Sequence, residues 1–237
     1  MTKPMLIGIL LGSALALTPI KSNGALLISG NTIDLLGTTA IMQPELAGAV
    51  IHDEAIYDSV TPSGNDLFQV GVNIQNRVSR SDTDGNLIFA PRIISSLNNT
   101  SGNFLIDRAV ISGFSDFELD VNYRTDGVGD KGPNSASRSF DGNQLSFDFL
   151  SPLVISNLFE NPQQDSYFLS ISSNATAFAN TGSMSIFGRH LDYPDEVFEF
   201  NFAGIAVPTD MAIHVPEPAL FTFLLTCFAS LVVFKRR

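Results

Sequence analysis

The side chains with the clearest potential for chemistry are the oxygen donors of the segment Ser-Asp-Thr-Asp-Gly-Asn. Asp82, Asp84 and Asn86 occupy alternate positions, which is the spacing of the first three ligands in a calcium-binding loop. Leu87 stands where such a loop needs glycine, and Ile93 stands where it needs a bidentate glutamate. The segment therefore offers an incomplete ligand set for calcium.

The same segment also contains the dipeptide Asp84-Gly85, which is typical of a tight turn between two antiparallel strands. The stretches at 67–78 and 87–94 on either side of it are rich in residues that favour strands. We expect a hairpin turn here. Calcium bound by Asp82, Asp84 and Asn86 remains the alternative, and no other cofactor is expected.

Hydrolytic motifs do not occur in the chain. It contains neither G-x-S-x-G nor H-E-x-x-H, and its three histidines are far apart in the sequence. Carboxylate pairs such as Asp116/Glu118 and Asp195/Glu196 would serve a glycosidase only across a cleft of fixed width. The chain also has no tryptophan and only four tyrosines for stacking on sugars. We expect a protein that is not an enzyme, with a secreted glycan-active enzyme as the alternative.

Alternating apolar residues predict strands that each bury one face. The residues predicted to face the core are Phe68, Val70, Val72, Ile74 and Val78; Phe117, Leu119, Val121 and Tyr123; Leu145, Phe147 and Phe149; and Phe198, Phe200 and Phe202. Less regular strands are predicted near 25–29, 47–51, 56–60, 87–94, 104–111, 153–158, 167–172 and 184–188. The longest polar loop is predicted at 123–143.

Many short strands separated by turn signals predict an all-β fold for residues 25–213. We expect an antiparallel β-sandwich, jelly-roll-like in its architecture. Fifteen of the 19 phenylalanines lie in this region, so we expect phenylalanine to fill the space between the sheets.

The charge of the chain is unevenly distributed. All 24 acidic residues lie between Asp34 and Glu217, whereas five of the 13 basic residues belong to the two ends. The central region therefore has a formal charge of −16, which disfavours nucleic acid and anionic lipid as partners. The single cysteine, Cys227, lies near the C-terminus, so the fold forms without an intrachain disulfide.

The N-terminal segment has the features of a secretory signal peptide. Lys3 supplies the positive charge, Met5 to Leu17 is apolar or small, and Ser22-Asn23-Gly24 supplies small residues for cleavage. We expect residues 1–24 to direct the chain to the general secretion machinery and to be removed. An earlier cleavage after Ala16 and an uncleaved membrane anchor are the alternatives, although Pro19 and the small residues argue against the anchor.

The C-terminal segment, residues 214–237, combines three features. Ala219 to Phe234 is an uncharged run of 16 residues. As a helix it is about 24 Å long, which is shorter than the roughly 30 Å hydrocarbon core of a bilayer. Pro216 and Pro218 impose an extended backbone before it, and Lys235 begins a basic end that favours the cytoplasmic side. We expect a transmembrane helix at 219–234.

Together these features resemble the PEP-CTERM sorting signal. The residues that carry the resemblance are Val215, Pro216, Glu217, Pro218, Arg236 and Arg237. The resemblance covers the last 23 residues and implies processing near the triplet by an exosortase-type transpeptidase. It also implies passage through the inner membrane to the cell surface or extracellular matrix, often in association with exopolysaccharide.

The sequence as a whole predicts an exported structural or adhesive β-protein. Its expected partners are the secretion machinery, the transpeptidase and, in the matrix, exopolysaccharide. A permanently anchored single-pass membrane protein is the alternative, in which the Pro-Glu-Pro triplet only precedes the helix.

Overall fold

The computed structural model describes residues 25–60, 70–95, 103–156 and 163–210. The predicted signal peptide, the sorting segment and the helix at 219–234 lie outside these ranges. Among the described residues, no helix has the length and apolar character needed to cross a membrane. A single turn of 3₁₀-helix, Pro44–Leu46, is the one helical element in these ranges.

The described residues form thirteen strands. These are β1 Ala25–Leu26, β2 Thr32–Asp34, β3 Gly48–Val60, β4 Val70–Ser81, β5 Leu87–Phe89, β6 Arg92–Ser95, β7 Phe104–Ser112, β8 Leu119–Arg124, β9 Ser135–Arg138, β10 Gln144–Ile155, β11 Phe168–Ser173, β12 Ala177–His190 and β13 Tyr193–Thr209.

The strands are arranged in two antiparallel sheets. The seven-stranded sheet has the order β1-β8-β11-β5-β4-β3, with β6 also paired to β4, and the six-stranded sheet has the order β13-β12-β7-β10-β9-β2. All the strand ladders are antiparallel. The expectation of an all-β, antiparallel fold is therefore confirmed.

The alternation in the sequence identifies the core correctly. Of the residues predicted to face inward, those buried are Val70, Val72, Ile74, Val78, Leu119, Val121, Leu145, Phe147, Phe149, Phe198, Phe200 and Phe202. Phe117 and Tyr123 pack against this cluster and are partly exposed. Phe68 lies outside the described residues. One hydrophobic cluster contains residues from both sheets.

Phenylalanine fills much of this core, as expected. The ring of Phe104 on β7 makes edge contacts with Phe198 and Phe200 on β13, with ring centroids 5.8 and 5.5 Å away. Phe89 on β5 meets Phe114 at 5.5 Å in the same manner. Such edge-to-face contacts add to the gain from burial.

A buried amide joins the two sheets. Asn76 on β4 is 1 % exposed, and its Nδ2 donates to the Gly204 carbonyl of β13 at 3.1 Å. Its Oδ1 accepts from the backbone N–H of Ala206 at 3.0 Å. Because both ends of the amide are bonded to β13, Asn76 meets the requirement that a buried polar group be satisfied.

Three predicted strand boundaries were wrong. The stretches predicted at 145–149 and 153–158 belong to one strand, β10. The stretch at 87–94 is not one strand, because Pro91 has no N–H to give to a ladder, and β5 ends before it while β6 begins after it. The stretches at 47–51 and 56–60 are parts of one strand, β3. The polar residues between them lie at the edge of the seven-stranded sheet, where exposure is tolerated.

The predicted polar loop at 123–143 contains a strand. β9, with the sequence Ser-Ala-Ser-Arg, pairs with β10 on one side and with β2 on the other. Its inward residues are Ala136 and Arg138, which are 0 % and 7 % exposed. Neither is a large apolar residue, so the hydrophobic pattern does not reveal this strand.

Candidate functional site

The segment that carries Asp82, Asp84 and Asn86 is the turn between β4 and β5. The two strands pair antiparallel, with Arg80 opposite Leu87. The Asn86 carbonyl accepts from the N–H of Ser81 at 2.9 Å, and Gly85 has a φ of 78°, which favours glycine. The hairpin expected from Asp84-Gly85 is therefore present.

The side chains of this turn bond mainly to each other. Asp84 Oδ1 accepts from the Asn86 N–H and Oδ2 accepts from Asn86 Nδ2, both at 3.0 Å. In the part of the chain that the structure describes, no three His, Cys, Asp or Glu side chains are grouped as a metal site. Calcium binding by Asp82, Asp84 and Asn86 stays a prediction.

The predicted processing residues lie outside the described residues. These are Val215, Pro216, Glu217, Pro218, Arg236 and Arg237.

Two of the histidines lie on different strands and have structural contacts. The His52 ring on β3 packs against Phe178 with centroids 5.4 Å apart. His190, at the end of β12, is 2 % exposed, and its Nδ1 accepts from the N–H of Asp192 at 3.1 Å. The fold does not bring these two residues together into one site.

A broad trough lies on the face of the six-stranded sheet that is turned away from the core. Its volume is about 650 Å³, within the range of small-molecule sites. The polar side chains that line it are Asn31, Thr32, Arg108, Ser112, Ser137, Ser139, Gln144, Ser146, Ser185 and Glu199, and two rings, Phe140 and Phe187, complete it. Arg138 borders the trough, but its side chain is turned inward. Neither predicted carboxylate pair lines it, and Glu199 is its one carboxylate.

The strand register places small polar residues in a row along this trough. One row crosses all six strands of the sheet in the order Asn201, Ser185, Val110, Ser146, Ser137 and Thr32. Neighbouring strands are about 4.7–4.9 Å apart, so the row extends for roughly 24 Å. Val110 is the single apolar member of the row.

The hydroxyl groups in the trough are largely unused by the protein. Ser185 donates to Asn201 Oδ1 at 2.7 Å. The hydroxyls of Thr32, Ser137, Ser146 and Ser112 have no hydrogen bond to any described protein group. They are therefore available to solvent or to a ligand.

Arg108 lies beside this row and differs from the other arginines. Its guanidinium lies 4.6 Å from the centre of the Phe187 ring. Each of the other described arginines bonds to a carboxylate or to backbone carbonyls: Arg77, Arg80, Arg92, Arg124, Arg138 and Arg189. Among the described arginines, Arg108 alone bonds to neither a carboxylate nor a backbone carbonyl. Its planar guanidinium stacks on the Phe187 ring, and its hydrogen-bond donors are free of bonds to the described residues.

A second polar cluster lies on the outer face of the seven-stranded sheet, under the segment that contains the 3₁₀-helix. Gln43 Oε1 accepts from Asn122 Nδ2 at 3.0 Å, whereas Gln43 Nε2 and Ser170 Oγ are buried without a partner. Burial, with a smaller contribution from the charge of Glu45, raises the pKa of Asp120 to about 6. One oxygen of Asp120 is also buried without a hydrogen bond.

This second cluster is covered by its own chain and does not resemble a site open to substrate. Gln43 and Ser170 are 0 % and 1 % exposed, and the neighbouring Leu46 is 3 % exposed. Unpaired buried donors and acceptors next to each other fit ordered water better than a ligand. The trough is the stronger candidate for binding.

Sequence reasoning missed the trough for two reasons. Its row of hydroxyls comes from six strands and exists only once their register is known. Its two rings are Phe140 and Phe187, whereas tryptophan and tyrosine are the residue types expected to stack on sugar rings. The phenylalanine at 187 occurs at an outward position of β12, and that is a signal an alternation analysis can detect.

Comparison of the chain with protein-family models, with curated proteins and with solved structures gave no match.

Proposed function

We propose that this chain is an exported structural or adhesive protein of the cell surface or extracellular matrix, sorted and processed through a PEP-CTERM signal. The observation that carries the proposal is the order of features in the last 23 residues: the Pro-Glu-Pro triplet, the apolar run and the basic end. An extended triplet before a short apolar helix gives a membrane transpeptidase a segment to bind and cleave. The removable-tail arrangement follows the same logic as other processed C-terminal anchors.

The central region, residues 25–213, is proposed to be a jelly-roll-like β-sandwich that the cell exports without disulfides. The two antiparallel sheets and their common core support this architecture. Residues 34–217 have a formal charge of −16, which supports solubility outside the cell and argues against nucleic acid as a partner. Its partners are the secretion machinery, the transpeptidase and matrix polysaccharide.

The trough supports binding rather than catalysis as the role of the exported region. A glycosidase needs two carboxyl groups across the scissile bond, and Glu199 is the one carboxylate in the lining. The remaining polar lining is made mostly of hydroxyls and amides. We propose that the protein contributes contacts and not chemistry.

The role of the triplet is tested by Glu217→Ala, which leaves the apolar run unchanged. We expect a membrane-retained precursor to accumulate, as measured by fractionating the producing cells and detecting the protein in each fraction. The control is Thr222→Ala, which lies inside the run and leaves the triplet intact. If the Glu217→Ala protein reaches the surface as the unaltered protein does, the chain is not sorted through this signal.

A further inference from the structure

We infer that the trough on the six-stranded sheet is a binding site for a neutral polysaccharide chain. This inference rests on the proposed export to a polysaccharide-rich matrix and names the surface that makes the contact. The observations that carry it are the row of unused hydroxyls, the Arg108 guanidinium held on Phe187, and the shape of the surface.

The shape of the trough fits an extended chain. It is an open channel of about 650 Å³ on a sheet face, and the row of small polar residues follows the direction across the strands. A polysaccharide presents hydroxyl groups at a regular interval along its length. The free hydroxyls of Ser146, Ser137 and Thr32 lie on three neighbouring strands, about 4.7–4.9 Å apart, and offer such a chain a regular series of partners.

The hydrogen-bonding groups of the trough complement sugar hydroxyls. Arg108 supplies a planar fork of donors, and Glu199, which lies opposite Phe187 in the β12–β13 register, supplies an acceptor. Stacking on Phe187 restricts the guanidinium before any ligand arrives, which reduces the entropic cost of binding. The free hydroxyls of Ser137 and Ser146 can both donate and accept.

The apolar surface of the trough fits the faces of sugar rings. Phe140 is 94 % exposed at the rim, beside Gly30, and Val110 lies within the row of hydroxyls. The exposed Phe140 ring and the polar side chains of the trough together give a surface that offers both apolar contact and hydrogen bonds. The faces and edges of a pyranose ring have the same two properties.

Electrostatics favour a neutral chain over an acidic one. Asp148 lies opposite Arg108 in the β7–β10 register, and Asp34 and Glu199 lie in the same transverse row. Arg108 thus lies in a row that also contains three carboxylates, and residues 34–217 have a formal charge of −16. A polyanion would be repelled by this surface as a whole.

The test is affinity electrophoresis of the exported protein, purified from producing cells, through gels that contain a neutral glucan, a neutral galactomannan or the acidic polymer alginate. We expect retardation by at least one of the neutral polymers. Arg108→Ala and Phe187→Ala should each weaken binding about tenfold or more, since each removes a charged hydrogen-bonding group or its support. Arg108→Lys should not restore binding, because lysine lacks the planar fork.

The matched control is Arg189→Ala. Arg189 lies on β12, on the same outward face of the sheet, but it is not part of the trough lining. It forms an ion pair with Asp107 at 3.3 Å. We expect this variant to bind as the unaltered protein does. All these side chains point away from the core, so thermal unfolding of each variant should show an unchanged fold.

Four results would overturn the inference. Two concern the polymers: no retardation by a neutral polymer, or retardation by alginate alone. Two concern Arg108→Ala and Phe187→Ala: unchanged binding in both, or a change of oligomeric state, which would assign the face to a second copy of the chain. Surface fractionation of the same cells separates this inference from the proposed function. A protein that reaches the surface without binding polysaccharide overturns only the inference, whereas one that is not exported contradicts the proposed function itself.

Discussion

At the scale of single residues, buried Arg138 and half-buried Asp120 have opposite effects on stability. Arg138 donates to four backbone carbonyls, those of Gly142, Leu27, Phe114 and Phe117, at 2.8–3.2 Å. A buried charge with this many partners organises its surroundings. Asp120 has an oxygen with no partner and a negative neighbour, so its ionisation opposes folding.

Replacement of Arg138 should therefore be strongly destabilising. Arg138→Ala leaves four carbonyls without their donor, and we expect a loss of about 2–4 kcal/mol in the free energy of unfolding. Arg138→Lys should recover part of this loss, because an ammonium cannot reach all four acceptors. Chemical denaturation measures the effect, with exposed Arg108→Ala as the control at about 0.5 kcal/mol or less. A loss below about 1 kcal/mol for Arg138→Ala would mean that water satisfies the carbonyls equally well.

Asp120 should make stability depend on pH in an unusual direction. Its pKa is raised from 3.8 to about 6 in the folded state, so the native protein binds the proton more tightly than the unfolded chain does. The contribution of this group to stability is fully present at low pH and is lost as the pH rises through that window.

The variant Asp120→Asn removes this cost. We expect its unfolding midpoint at about pH 7 to exceed that of the unaltered protein by about 2–4 °C, and the difference to shrink toward pH 4. Thermal unfolding across this pH range measures both effects. Asp195→Asn, which changes an exposed carboxylate, is the matched control. A lower midpoint for Asp120→Asn at pH 7 would show that the ionised carboxylate has a stabilising partner.

At the scale of elements, sequence alternation predicted those strands whose inward residues are large and apolar. β4, β8, β10 and β13 carry such residues, and their core faces were identified correctly. β9 was missed because Ala136 and Arg138 are its inward residues. The position of Pro91 could have separated β5 from β6, since proline cannot donate in a ladder. The trough could not be predicted, because register between strands far apart in sequence is decided by packing and turns.

Phe147 on β10 tests whether the core is as tightly packed as these faces imply. Its ring is 0 % exposed, and we expect Phe147→Ala to cost about 3–5 kcal/mol in the free energy of unfolding. Phe140→Ala removes a ring of the same size that is 94 % exposed, and it should change stability by about 0.5 kcal/mol or less. Denaturant titration of both variants compares them directly. Similar effects for the two would contradict the burial of the Phe147 ring in the core.

At the scale of the whole molecule, we propose that a packed β region is flanked by two segments that are processed during export. Phenylalanine fills much of the core and Asn76 joins the two sheets, so packing and buried hydrogen bonds hold the region together. The acidic surface and the polar trough fit a role in a hydrated matrix. We propose that the two ends direct export and that the trough supplies the contact with the matrix.

The central claim is that both ends are removed during export. The sequence predicts a processing signal at each end, so we expect the protein at the surface to lack residues 1–24 and the apolar run that follows Pro218. Intact-mass measurement of surface-extracted protein tests this most directly. The account predicts a dominant species whose mass corresponds to a chain shortened at both ends. A dominant stable species that still contains Phe221 to Arg237 would contradict it.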